Sequence, residues 1–179
     1  MAQLPYLIYE QKPPMSSVDF KELARSQMSG KDAVLLDRLS LGLTRSKKTG
    51  CSFINNWQDW EYALRLNLAK QRAIKLKKEN IQIAEPSAVY MDAAAAASKA
   101  VDEHSPLDGE ILIDKARWSA IDGFVGSNYF SRNSAYAYYL KLLLIERREA
   151  FNVDKGFSEY KSLYASILES AENSLGEPK

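Results

Sequence analysis

The chain has one cysteine, Cys51, and one histidine, His104. A lone cysteine permits no internal disulfide, which accords with a reducing compartment, and with no second cysteine or neighbouring histidine a Cys/His metal site cannot be assembled. His104 stands beside Asp102 and Glu103 near a helix junction, where a solvated imidazole is expected rather than a catalytic base. Long apolar runs are also missing. The stretch "AYAYYLKLLLIERREAF", 135–151, is interrupted by Lys141 and closed by Glu146, Arg147, Arg148 and Glu149, short of the about 20 residues that a membrane-spanning helix requires. The N-terminus shows no basic stretch followed by an apolar core and a small-residue cleavage site, and Pro5, Pro13 and Pro14 break any amphipathic transit helix. A cytoplasmic protein is expected.

Catalytic motifs are lacking too. "GLTRSKKTGCSF", 42–53, has two glycines, hydroxyls and basic residues, but not the order glycine, four residues, then Gly-Lys-Ser/Thr that cradles a phosphate; it reads as a loop. Glu110 and Asp114 lie four residues apart, as paired carboxylates would, yet Lys115 and Arg117 follow and an exposed charged face is expected. The residues assemble no catalytic, cofactor-binding or metal site, and neither enzyme nor cofactor is expected.

What is present suits one ordinary globular domain over 1–179: 46% hydrophobic and 26% charged residues, with a net charge of +1. That length buries a core without staples. "MAQLPYLIYEQKPPM", 1–15, is a short strand or a docked arm, extended by its Pro-Pro pair. Thereafter the signals are helical. Ser16 or Ser17 caps a first short helix and Ser29 with Asp32 a second, together filling 17–41. Asn55 or Asn56 opens a long amphipathic helix of about 24 residues with Trp57, Trp60, Leu64 and Leu68 on its apolar stripe. The alanine-rich "SAVYMDAAAAASKAVDEH" predicts a crowded helix crossing, and Ser105, Pro106 and Asp108 mark the next start, with Gly123 or Gly126 the end. From Asn133 to about Asn152 a central core helix leaves Ser134, Ala137, Lys141 and Arg148 for water, with Leu143 buried. Phe157, Tyr160, Leu163, Tyr164, Ile167 and Leu168 supply a last helix to cover it, and 174–179 fray. The fold class is all-α, a multi-helix bundle-like domain.

The near-neutral total hides polarity along the chain. Arg65, Lys70, Arg72, Lys75, Lys77 and Lys78 come with no acid among them, whereas 79–122 holds nine acids against Lys99, Lys115 and Arg117. Two solvated faces can neutralise each other, or the basic group can contact a partner. Phosphate binding would use the same residues, but the net charge is small and no nucleic-acid module accompanies them. An anionic protein surface is the expected target.

Three motifs in order, "KPPMSSVDF", "SPLDGEILIDKARWSAIDG" and "AYAYYLKLLLIERREAFNVDKG", resemble a family of small proteins that accompanies the bacterial V/A-type ATP synthases. That family looks like a shortened relative of the C-type socket protein of those synthases, called d-type in the eukaryotic enzyme. The resemblance implies an all-helical, non-catalytic socket of a proton- or ion-transporting machine, linking the central stalk to the membrane rotor. It implies V/A-type ATP synthase subunits as partners and a peripheral place at the inner face of the membrane once assembled. The other reading is a helical adaptor or assembly factor, with the basic helix as a nucleic-acid contact.

Overall fold

The computed structural model describes residues 4–42, 48–78, 82–127, 130–151 and 153–175. Among these the chain is all-helical: α1 (Ser17–Gln27), α2 (Gly30–Asp37), α3 (Ser52–Lys75), α4 (Met91–Asp102), α5 (Pro106–Val125), α6 (Arg132–Ala150) and α7 (Val153–Leu175). No helix is long and apolar enough to cross a membrane among the described residues. The chain divides into two compact units, Met1–Glu146 and Arg147–Lys179.

In the first unit, hydroxyl caps place the short helices. The Ser16 hydroxyl accepts the Asp19 N–H at 3.0 Å while the Asp19 carboxylate accepts the Ser16 N–H at 3.4 Å, a reciprocal box that closes the start of α1. Ser29 and Ser105 accept from Asp32 and Asp108 in the same manner. α3 begins at Ser52 with Cys51 at the cap position, four residues earlier than a cap at Asn55 predicts. The Asn55 side chain turns back on the loop instead of capping, accepting the Thr49 N–H and donating to the Thr49 carbonyl, both at 2.8 Å.

α3 packs against α4 and α5, and α4 against α5. Trp57, Trp60 and Leu64 lie buried along α3, the two indoles stacked with centroids 6.0 Å apart. The alanines of α4 admit a close crossing: a Cβ on Gly109 of α5 would sit 2.7 Å from the Ala100 carbonyl oxygen. α5 ends at Gly126, whose φ of 71° suits glycine.

α6 is buried more completely than its sequence predicts. Ser134 and Ala137 are in the core, not facing water, while Leu143 is only partly buried between the fully buried Leu142 and Leu144. The extra cover comes from aromatic neighbours: Phe20 of α1 lies 4.9 Å from Tyr138, and Phe53 of α3 lies 6.1 Å from Tyr136. The N-terminal segment forms no strand among its described residues. It docks as an arm, with Leu7 buried, Tyr9 edge-on to Trp118 at 5.5 Å and Glu10 paired with Lys115.

The second unit differs from expectation. Phe157, Tyr160, Leu163, Tyr164, Ile167 and Leu168, expected to cover a core, line one face of α7 and are 46% to 61% exposed. Helical order runs to Leu175, past the expected onset of fraying at 174; residues 176–179 lie outside the described part.

Candidate functional site

The six basic residues expected to meet a partner fall into two sets. Arg65 is drawn inward, donating to Glu61 at 2.7 Å and to the Leu41 carbonyl at 2.8 Å. Lys70 pairs with Glu85 at 2.9 Å, Arg72 with Glu110 at 3.8 Å, and Lys75 donates to the Val101 carbonyl. Glu85 and Glu110 thus lie alongside the basic helix, with α4 and α5 packed against α3. Lys77 and Lys78 remain exposed, their side chains making no hydrogen bond or ion pair with any described residue.

These two lysines stand on an uncommon backbone. The Lys77 N–H donates to the Ile74 carbonyl and the Lys78 N–H to the Ala73 carbonyl, both at 3.0 Å, which terminates α3 in a Schellman arrangement. The position after the cap adopts a left-handed conformation and is ordinarily glycine; here it is Lys77, with φ of 52°. Among the described residues Lys77 alone has positive φ without being glycine. Both side chains are exposed at the helix end, where the dipole favours cations.

A buried ionic cluster joins α3 to α5. Arg117 donates to both Glu61 oxygens, Nη2 at 2.9 Å and Nε at 3.0 Å, and to Asp114 at 2.7 Å, with all three side chains no more than 6% exposed. Burial acts against the guanidinium's charge, but Glu61 and then Asp114 outweigh it and hold the pKa above the ordinary arginine value. This corrects the reading of Asp114 as part of an exposed face. Glu61 and Arg65, and Asp114 and Arg117, are spaced as surface ion pairs are, and the packing of α3 on α5 takes Glu61, Asp114 and Arg117 out of water, with Arg65 partly exposed. The cluster clamps α3 to α5.

A cleft of about 620 Å³ lies between α1, α2 and the start of α6, walled by Phe20, Met28 and Phe130 and bordered by Asp32 and Arg132. Arg132 pairs with Asp32 at 3.0 Å and the Tyr136 hydroxyl donates to the Asp32 carbonyl at 3.2 Å. The Ser29 hydroxyl, ahead of Arg132, holds Asp32 below the usual carboxylate range, so this polar edge is satisfied from within. Cys51 is buried, its thiol 3.8 Å from Asn133, and His104 is exposed. No group of three metal-ligating side chains occurs among the described residues.

The motifs that carry the family resemblance are structural in this fold. Ser17, from the first, donates through its N–H and hydroxyl to the two carboxylate oxygens of Glu146, from the third, both at 2.6 Å. The second supplies Ser105, Gly109, Asp114 and Arg117, which cap, cross and clamp α5. Set against protein-family models, curated proteins and solved structures, the chain matches none.

Proposed function

We propose that the chain is a non-catalytic structural component of a V/A-type ATP synthase, resembling a shortened C-type socket protein, that joins the central stalk to the membrane rotor and reaches the membrane only through the complex. The observation that carries the reading is the Lys77–Lys78 pair, a strained and exposed cationic knuckle without a partner in the described chain. Strain of this kind persists where function requires it. Two features support the reading: the three resembling motifs are engaged in holding an all-helical fold, and Arg65, Lys70, Arg72 and Lys75 are taken up internally. The partner-facing charge is thereby narrowed from six residues to two, too few neighbours for a phosphate-tracking stripe, which favours an acidic protein surface over nucleic acid.

The test is affinity purification of the tagged chain from cells that make the synthase, beside a Lys77→Glu/Lys78→Glu variant. The wild type is expected to bring down synthase subunits, and the variant to bring down several-fold less with its melting midpoint nearly unchanged, because exposed charges contribute little to folding. Recovery of nucleic acid in place of synthase subunits would favour the adaptor reading, and recovery of neither would sink the proposal.

A further inference from the structure

The N-terminal arm, 4–15, meets the rest of the first unit as an extended ligand would. It forms neither helix nor strand, and its side chains alternate: Tyr6 and Ile8 are 88% and 44% exposed, whereas Leu7 is buried and Tyr9 partly buried. A period of two turns every second side chain inward. Tyr9 and Glu10 are received on α5. Tyr9 lies edge-on to Trp118, whose ring carries the Lys141 ammonium of α6 at 4.5 Å, and Glu10 pairs with Lys115 at 3.4 Å. An aromatic ring with lysines nearby is matched by an aromatic residue followed by an acid.

We infer that this part of α5 is a recognition site for an extended segment of a partner protein, and that the arm is its internal occupant, a strap that the partner displaces. The segment carries an aliphatic residue, an aromatic residue two positions on and an acid next. The arm itself shows that this chemistry fits, since Leu7, Tyr9 and Glu10 fill the site in the closed chain. Its hold is light. The turn bond from the Gln11 N–H to the Ile8 carbonyl lies within the arm, and the Glu10–Lys115 pair is more than half exposed on both sides and adds little. Release stops at Pro13–Pro14, because α1 is pinned independently: Ser16 and Asp19 close its first turn, and Ser17 is held by Glu146. Pro13, preceding a proline, stays extended and does not join the helix. The inference does not depend on the synthase reading, since it concerns the arm and α5 alone.

Fluorescence anisotropy of a labelled peptide, LPYLIYEQK, residues 4–12, tests it on the whole chain. A Leu7→Asp/Tyr9→Ser chain, whose own arm no longer docks, is expected to melt cooperatively and to bind the peptide saturably. The wild-type chain is expected to bind it about ten-fold or more weakly, because a tethered arm competes at an effective concentration on the order of millimolar. Placing the same two substitutions in the peptide is expected to abolish binding, and adding Trp118→Leu to the variant chain, at a partly buried position, to weaken it several-fold. A Leu7→Asp/Tyr9→Ser chain that no longer melts cooperatively makes the arm part of the core and overturns the inference. So does a folded variant that ignores the peptide, binding that survives the peptide substitutions, or a wild-type chain that binds as tightly as the variant. A wild-type chain that dimerises and becomes monomeric in the variant makes a second copy's arm the occupant and likewise overturns it.

Discussion

Replacing Arg117 by Met removes the one cation that Asp114 and Glu61 share, leaving Asp114 and Glu61 in sites where their side chains are 2% and 3% exposed. Glu61 keeps its bond from Arg65, whereas Asp114 loses the guanidinium bond at 2.7 Å. Breaking a buried pair in this way costs about 3–5 kcal/mol, a large part of a total stability of about 5–15 kcal/mol. For a chain of this size that is a fall in melting midpoint of roughly 10 °C. Urea and thermal unfolding followed by circular dichroism measure the loss, and adding Asp114→Asn, which removes the carboxylate left without its guanidinium, should restore part of it. A deficit of less than about 1 kcal/mol, or no recovery in the double variant, would refute the cluster as a buried clamp.

Gly109→Ala should lower the melting midpoint despite the better helix propensity of alanine, about 1 kcal/mol, because its Cβ would meet the Ala100 carbonyl at 2.7 Å and force the α4–α5 crossing apart; a rise in midpoint would show that the crossing yields freely. Leu144→Asp, at a fully buried position, should abolish cooperative folding through an unpaired carboxylate costing several kcal/mol, whereas Leu143→Asp, only partly buried, should leave a foldable chain; equal outcomes in a solubility and melting assay would contradict the burial pattern. Lys77→Gly should raise stability by up to about 1 kcal/mol by relieving the left-handed strain while weakening capture of synthase subunits, and a variant that melts lower would argue against strain at φ of 52°. Asp32, held below its ordinary value of 3.8 first by Ser29 and then by Arg132, contributes stability that is present above that value and lost as pH falls below it; Asp32→Asn should reduce the loss of midpoint on acidification, and an unchanged acid profile would remove Asp32 from the cause.

Where a local rule suffices, the residues alone announce the structure. Ser16 with Asp19, Ser29 with Asp32 and Ser105 with Pro106 and Asp108 mark helix starts because capping involves atoms within four residues. Asn55 misleads for the complementary reason: its side chain has a second set of partners at Thr49, in the preceding loop. In the candidate site, the basic cluster is visible as composition, but a list of charges carries no information about which acids lie within reach.

Helix number, the all-α class and the stripe of α3 follow from periodicity and capping, which are properties of short segments. Tertiary packing decided the rest. It buried Asp114, Arg117 and Glu61 although each pair is spaced like a surface ion pair, and it matched Lys70, Arg72 and Lys75 to groups 15, 38 and 26 residues away in the chain. It left Lys77 and Lys78 exposed where α3 ends. Whether a polar or apolar face is buried depends on a neighbour supplied from a distant part of the chain, and the period of a helix is the same whether or not that neighbour arrives.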